Sequence, residues 1–182
     1  MRGDLAMLWC SIVAGRGGAR TMALTSGAFI SIDEAQAMVS PGGHFSPWIA
    51  DLGLRIERID KTGVRARLPR SPRIQRPGGV VIGQALMAAA DTLLVLAFSE
   101  ALGRKPSMAT VSLTTNFMRA AVDCDVIAEA RPLKLGRTTV FGEVVFYADG
   151  EAQPVGQATA VFAVLPDAAA AKFTAVGTLA GG

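Results

Sequence analysis

The sequence is poor in the residues that most enzyme chemistries recruit. Its 182 residues include one histidine, His44, and two cysteines, Cys10 and Cys124. Two distant cysteines exclude a disulfide framework and a CxxC metal pair, and a protein zinc site would need scattered ligands. With one histidine and no G-x-S-x-G elbow, a Ser-His-Asp hydrolase is disfavoured. No G-x-G-x-x-G follows a strand pattern. Gly15-Arg16-Gly17-Gly18-Ala19-Arg20 lacks the Lys-Ser/Thr that completes a phosphate loop. Charged residues make up only 18% of the chain, and the net charge of +3 is too small and scattered for a nucleic-acid surface.

What the chain has in quantity is apolar side chains, 51% of all residues. That content excludes a disordered chain, and the length suffices to bury a core without metal or disulfide staples. Residues 1–24 read as an extension outside the domain. The apolar run Leu5–Ala14 sits behind Arg2 as a secretory signal would, but Asp4 interrupts the positive flank and no A-x-A site precedes Gly15. Met22 is the expected native initiator. The domain is expected over 25–166, and the Ala/Gly-rich stretch 167–182 reads as a flexible tail.

Ser31-Ile32-Asp33-Glu34 has capping-box spacing and predicts a short helix from Ile32 to about Val39. Leu54, Ile56, Val64, Ala66 and Leu68 alternate with charged residues around Asp60-Lys61-Thr62-Gly63, the pattern of a hairpin. Pro69, Pro72 and Pro77 then break the chain. Val80–Phe98 is a long apolar run that would suit a membrane span, except for a central Asp91. A helix surrounded by protein is the better reading, stopped by Gly103. Beyond it Ala109, Val111, Leu113, Thr115 and Phe117 are expected on one strand face, with Thr110, Ser112, Thr114 and Asn116 on the other. Strands near 125–131, 138–148 and 157–164 follow. The order predicts an α+β fold, an antiparallel sheet wrapped on a central helix. Such a sheet buries that helix on one side, so its other side and the sheet edge call for a second subunit.

Two features of the helix suggest chemistry. Pro77-Gly78-Gly79-Val80-Val81-Ile82-Gly83 brings glycines to the helix start, where free N–H groups and partial positive charge suit a developing oxyanion. The same glycines would also serve a tight loop packed on the sheet. Asp91 is an acid within an apolar segment, which calls for a partner or a function. A core aspartate satisfied by Thr92 or Thr110 is the alternative. Eight residues separate Gly83 from Asp91, about 12 Å along one helix. If both act on one carbonyl, they come from two helices lying side by side across a dimer interface.

Gly83, seven residues, then Asp91-Thr92, followed by TVSLTTNFMRAA (Thr110–Ala121), resembles the hotdog-fold acyl-CoA thioesterases of the phenylacetate-pathway type. PWIADLGLRIERI before the first hairpin and KLGRTTVFGEVVF later extend the resemblance over about Pro47–Val164. It implies a hotdog fold, homodimers pairing into homotetramers, and hydrolysis of an acyl-CoA substrate in the cytoplasm. Asp91 is implied as nucleophile or general base, the Gly83 amide as the group polarising the carbonyl, and Thr110 as the hydroxyl placing water. Substrate contacts are expected at Gly79, Ile82, Gln84, Asn116, Arg119 and Arg137, with the two arginines facing coenzyme A phosphates. No metal and no cofactor beyond coenzyme A in the substrate is implied, and neither a nucleic acid nor a membrane partner. Many members carry His-Gly-Gly where this chain has Ile82-Gly83-Gln84, and Asn or Gln where it has Arg76. The backbone amide survives those changes; the side-chain hydrogen bonds do not.

The chemistry fits hydrolysis better than dehydration. A thiolate leaves without acid assistance, since its conjugate thiol has a pKa of about 8.5. Expelling hydroxide wants an acid–base pair, and His44 reads as a capping or surface residue remote from the helix. The non-enzymatic alternative is an acyl-CoA-binding member of the same fold.

Overall fold

The structure is a computed structural model that describes residues 28–166. The expectations for 1–24 and 167–182 lie outside the described residues. Helix α1 (Ile32–Val39) starts where expected, with Ser31 Oγ accepting from the Glu34 N–H at 3.1 Å. The Glu34 carboxylate pairs with Lys105. A short helix α2 (Pro47–Ala50), which the sequence pattern did not mark, leads into the hairpin of β1 (Arg55–Asp60) and β2 (Gly63–Leu68). Asp60 Oδ1 accepts from the Thr62 N–H at 2.7 Å and closes the turn.

A two-residue ladder of β3 (Gln75–Arg76) and β4 (Val80–Val81) follows, then helix α3 (Gly83–Leu102). The expected helix began at Val80; it begins at Gly83 because Val80 and Val81 are extended and paired to β3. Gly103 ends it at φ 62°, the left-handed geometry that favours glycine. By composition α3 could cross a membrane, yet 72% of its most apolar window is buried within the fold. Leu93, Leu94, Leu96, Ala97 and Phe98 have no exposed surface. A side chain at Gly142 would meet Leu94 and Phe98 at 2.6 and 2.7 Å, so this glycine lets helix and sheet close together.

Strands β5 (Met108–Phe117), β6 (Val126–Leu135), β7 (Thr139–Ala148) and β8 (Pro154–Val164) complete a six-stranded antiparallel sheet ordered β1-β2-β6-β7-β8-β5. Its two edges differ. At β1 the edge is covered by α1, whose Gln36 donates to the Leu54 carbonyl (3.0 Å) and accepts from the Ile56 N–H (2.9 Å). At β5, no strand among the described residues pairs with the outer edge. Exposed apolar side chains gather on and beside this edge: Val111, Phe117 and Met118, with Met87 of α3. Gln84, Met87, Asp91 and Val95, spaced by three or four residues, are the stripe of α3 left open or half-open.

Alternation along β5 is broken by a bulge. Thr110 pairs with Phe162 and Ser112 with Val161, leaving Val111 unpaired. One extra residue reverses which face the following side chains occupy. Thr110 therefore turns toward α3 together with Leu113, Thr115 and Phe117, correcting the expected split of this strand into odd and even faces.

Candidate active site

Asp91 sits near the middle of α3 and is half-buried, with Thr110 Oγ1 donating to its Oδ1 at 2.7 Å. The expectation of an acid sealed in apolar surroundings is corrected on this point. The fully buried acid of α3 is Glu100, which sequence reasoning passed over, and its role is structural. Its carboxylate accepts the Phe29 N–H (3.0 Å) and the Ile30 N–H (2.7 Å), pinning the start of the described chain. Asp91 instead opens onto a cavity of about 510 Å³, bordered also by Phe45, Val95, Ser99, Lys105 and Thr110.

His44 borders that same cavity, contrary to the expectation that no histidine lies near the helix. The loop after α1 turns at Gly42 (φ 76°), and the His44 N–H donates to the Met38 carbonyl at 2.9 Å. The ring meets Phe45 edge-on, centroids 5.3 Å apart. No sequence spacing links His44 to Asp91. The fold alone brings them to one cavity.

Gly83 is the first residue of α3, after Ile82 as N-cap in extended geometry (φ −75°, ψ 144°). As at any helix start, its N–H has no partner within the helix. The ring of Phe117 lies against it; a Cβ on Gly83 would fall 2.7 Å from the ring carbon Cζ. Gly83 borders a second cavity, of about 740 Å³, together with Ile82, Gln84, Met87, Phe117 and Arg119. Asp91 is absent from its wall, just as Gly83 is absent from the wall of the Asp91 cavity. Each chain thus carries the acid and the amide in separate cavities, about 12 Å apart along α3.

The remaining expected contacts divide. Ile82 and Gln84 line the Gly83 cavity. Gly79 lines none of the cavities described here; it sits at φ 75° in a tight turn, where its carbonyl accepts from Asp123 N–H (3.0 Å) and Gln75 Nε2 (2.7 Å). A side chain there would strike the Asp123 carboxylate, so this glycine serves the loop. Asn116 is opposite Gln157 in the register and borders neither cavity. Arg119 borders the Gly83 cavity, but its Nη2 donates to Glu151 Oε2 and to the Gln153 carbonyl, both at 2.7 Å. Arg137 is exposed in the turn between β6 and β7, at the Thr110 end of the sheet. Among the described residues Arg76, on the wall of the Gly83 cavity, forms no ion pair.

Among the described residues no three His, Cys, Asp or Glu side chains cluster as metal ligands. Burial pushes the Cys124 thiol above its ordinary pKa, which keeps it protonated and a poor nucleophile.

Comparisons with known proteins bear on the fold and on the family. Residues 78–155, which span the helix start, Asp91 and Thr110, match the family described as the Thioesterase superfamily. A provisionally assigned esterase of Haemophilus influenzae is 29% identical over 89 residues, covering 49% of this chain. The chain spans 64% of that relative's length. The structure of a provisionally assigned thioesterase from a Silicibacter species superposes with a TM-score of 0.67 at 28% identity, covering 77% of this chain and 95% of the other. A thioesterase of Haemophilus influenzae shares the fold at a TM-score of 0.66 and 21% identity, over 75% of this chain and 91% of the other. The chain has the hotdog fold, and the segment that carries Gly83, Asp91 and Thr110 is similar to the thioesterase superfamily.

Proposed function

We propose that the protein hydrolyses acyl-CoA thioesters to a free acid and coenzyme A, in a homodimer whose sites each combine Asp91 of one subunit with the Gly83 amide of the other. The observation that carries this reading is the separation along α3. One carbonyl cannot meet both groups from a single chain, while a second copy supplies the missing half. The open edge of β5 and the apolar side chains beside it support the pairing. Two-fold pairing of β5 edges lays the two α3 helices antiparallel. With the two-fold axis beside Met87, midway between Gly83 and Asp91, Gly83 comes level with the partner's Asp91.

In this site the Asp91 carboxylate, oriented by Thr110, takes a proton from water as the water oxygen bonds to the thioester carbon. Charge develops on the carbonyl oxygen, where the Gly83 N–H and the positive helix end stabilise it. Collapse breaks the C–S bond, and the leaving thiolate takes the proton back from Asp91. Direct attack by Asp91, through an anhydride that water then opens, uses the same groups. We extend the reading to the phenylacetate-pathway type, to pairing of dimers into tetramers and to a cytoplasmic setting; the support is the resemblance carried by Gly83, Asp91 and Thr92.

Thiol release from acetyl-, hexanoyl- and benzoyl-CoA tests it. Asp91→Asn is expected to lower kcat by about a hundredfold or more. Undiminished hydrolysis in that variant rejects the mechanism. No hydrolysis of any thioester by the native protein points instead to an acyl-CoA-binding module, the alternative that Ile82 in place of the His-Gly-Gly histidine favours.

A further inference from the structure

We infer that the acyl group of the substrate lodges in a third cavity, beneath the start of α3, that it is uncharged and apolar, and that Trp48 selects it. The inference rests on the hydrolase reading for the position of the carbonyl. This cavity, of about 430 Å³, is walled by Trp48, Leu52, Ile74, Ile82 and Ala85, with Gln84 at its border. Ile82 and Gln84, the residues on either side of Gly83, also line the larger cavity. The amide that would hold the carbonyl therefore stands at the partition between the two. A thioester bound there has its two arms directed to opposite sides of that partition.

Charge decides which arm goes where. The larger cavity has Arg76 on its wall with no ion pair among the described residues, which suits the phosphate-bearing arm. The smaller cavity contains one acid and one base, Asp51 and Arg73, paired at 3.1 Å. It therefore offers no unbalanced charge to a charged acyl group. Leu52, Ile74 and Ala85 are buried around it, whereas Trp48 is 59% exposed. An indole left open beside a buried apolar wall is a surface that a ligand of matching chemistry would cover.

The test combines a kinetic series with a direct signal from Trp48. The native enzyme is expected to prefer hexanoyl- and benzoyl-CoA over acetyl- and succinyl-CoA. Trp48→Ala is expected to raise KM for the two larger acyl groups by about tenfold while leaving acetyl-CoA within about twofold, and Trp48→Phe to restore most of the loss. For binding, the full chain carrying Trp9→Phe and Asp91→Asn leaves Trp48 as its one tryptophan. Its fluorescence should shift with hexanoyl-CoA and stay unmoved with coenzyme A alone. An equal shift with coenzyme A alone, an equal loss for acetyl-CoA in Trp48→Ala, or a preference for succinyl-CoA overturns the inference. Acyl-dependent shifts in a protein that hydrolyses nothing support the acyl site and reject the hydrolase reading alone.

Discussion

The Thr110 hydroxyl reaches Asp91 at 2.7 Å because a bulge at Val111 turns that residue out of the strand's alternation. Without the extra residue Thr110 would share the face of Ser112 and Thr114, away from the helix. A hydrogen bond to an ionised group contributes roughly 1.5–3 kcal/mol. In Thr110→Val the Asp91 carboxylate loses the donor that orients it. We expect kcat to fall by about tenfold, Thr110→Ser to recover most of it, and circular dichroism to stay unchanged. Equal activity in the valine variant would remove Thr110 from the site.

Glu100 makes a different use of a carboxylate on the same helix. Two backbone N–H groups end on it: that of Ile30, closed to water like Glu100 itself, and that of Phe29, in a part-buried bond. Glu100→Ala leaves both donors without an acceptor and opens a cavity, at an expected cost of about 2–4 kcal/mol in urea unfolding. Amide exchange at Phe29 and Ile30 should accelerate by at least about tenfold. Protection retained in the variant would mean the segment is held by its packing.

Asp91 and Glu100 also mark how far the sequence could be read. Periodicity reports which residues lie on one element. The capping box placed α1 and the unbroken apolar run placed the central helix, while periodicity located the first hairpin and the later strands. It could not report the bulge in β5, since one added residue leaves the local composition untouched and only reverses the faces. Nor could it tell which acid of α3 would be sealed, because that depends on what packs there from elsewhere. Glu100 faces the chain around Ile30, whereas Asp91 faces a cavity. His44 and Trp48 were missed for a related reason: the loop after α1 and the short helix α2 carry them to their cavities, and neither is long enough to show a repeat. The glycine at the helix start was legible from its local pattern, whereas no pattern told that Asn116 and Gly79 would border neither the Gly83 nor the Asp91 cavity.

The outer face of the sheet makes stability depend on acid. Asp125 accepts the Arg70 backbone N–H (2.8 Å) and a hydrogen bond from Arg67 (3.1 Å), and these contacts hold its carboxyl below the ordinary pKa. A carboxylate that is more acidic in the folded state stabilises it above the unfolded pKa of about 3.9. That contribution is lost as pH falls through the lower, folded value. Asp125→Asn should therefore cost about 1 kcal/mol at pH 7, with the gap to the native protein closing below about pH 3. Urea midpoints at pH 7 and pH 3 measure both. A gap that persists in acid would assign the loss to packing.

Whether a site is shared between subunits can be decided by deleting one N–H. Gly83 occupies the first helical position, where proline is tolerated, and Ile82 already has the extended geometry that a following proline demands. Gly83→Pro thus removes the amide hydrogen with the helix kept, while Gly83→Ala sets the same pressure on Phe117 and retains the hydrogen. We expect the proline variant to lose about a hundredfold or more in kcat and the alanine variant far less. Co-expression of Gly83→Pro and Asp91→Asn chains then separates the two geometries. If the carbonyl bridges two subunits, each mixed dimer regains one intact site, carrying the Asp91 of the first chain and the Gly83 of the second. A random mixture should recover about a quarter of native activity. If acid and amide act within one chain, every site in the mixture lacks one of them, and activity stays at the level of the separate variants.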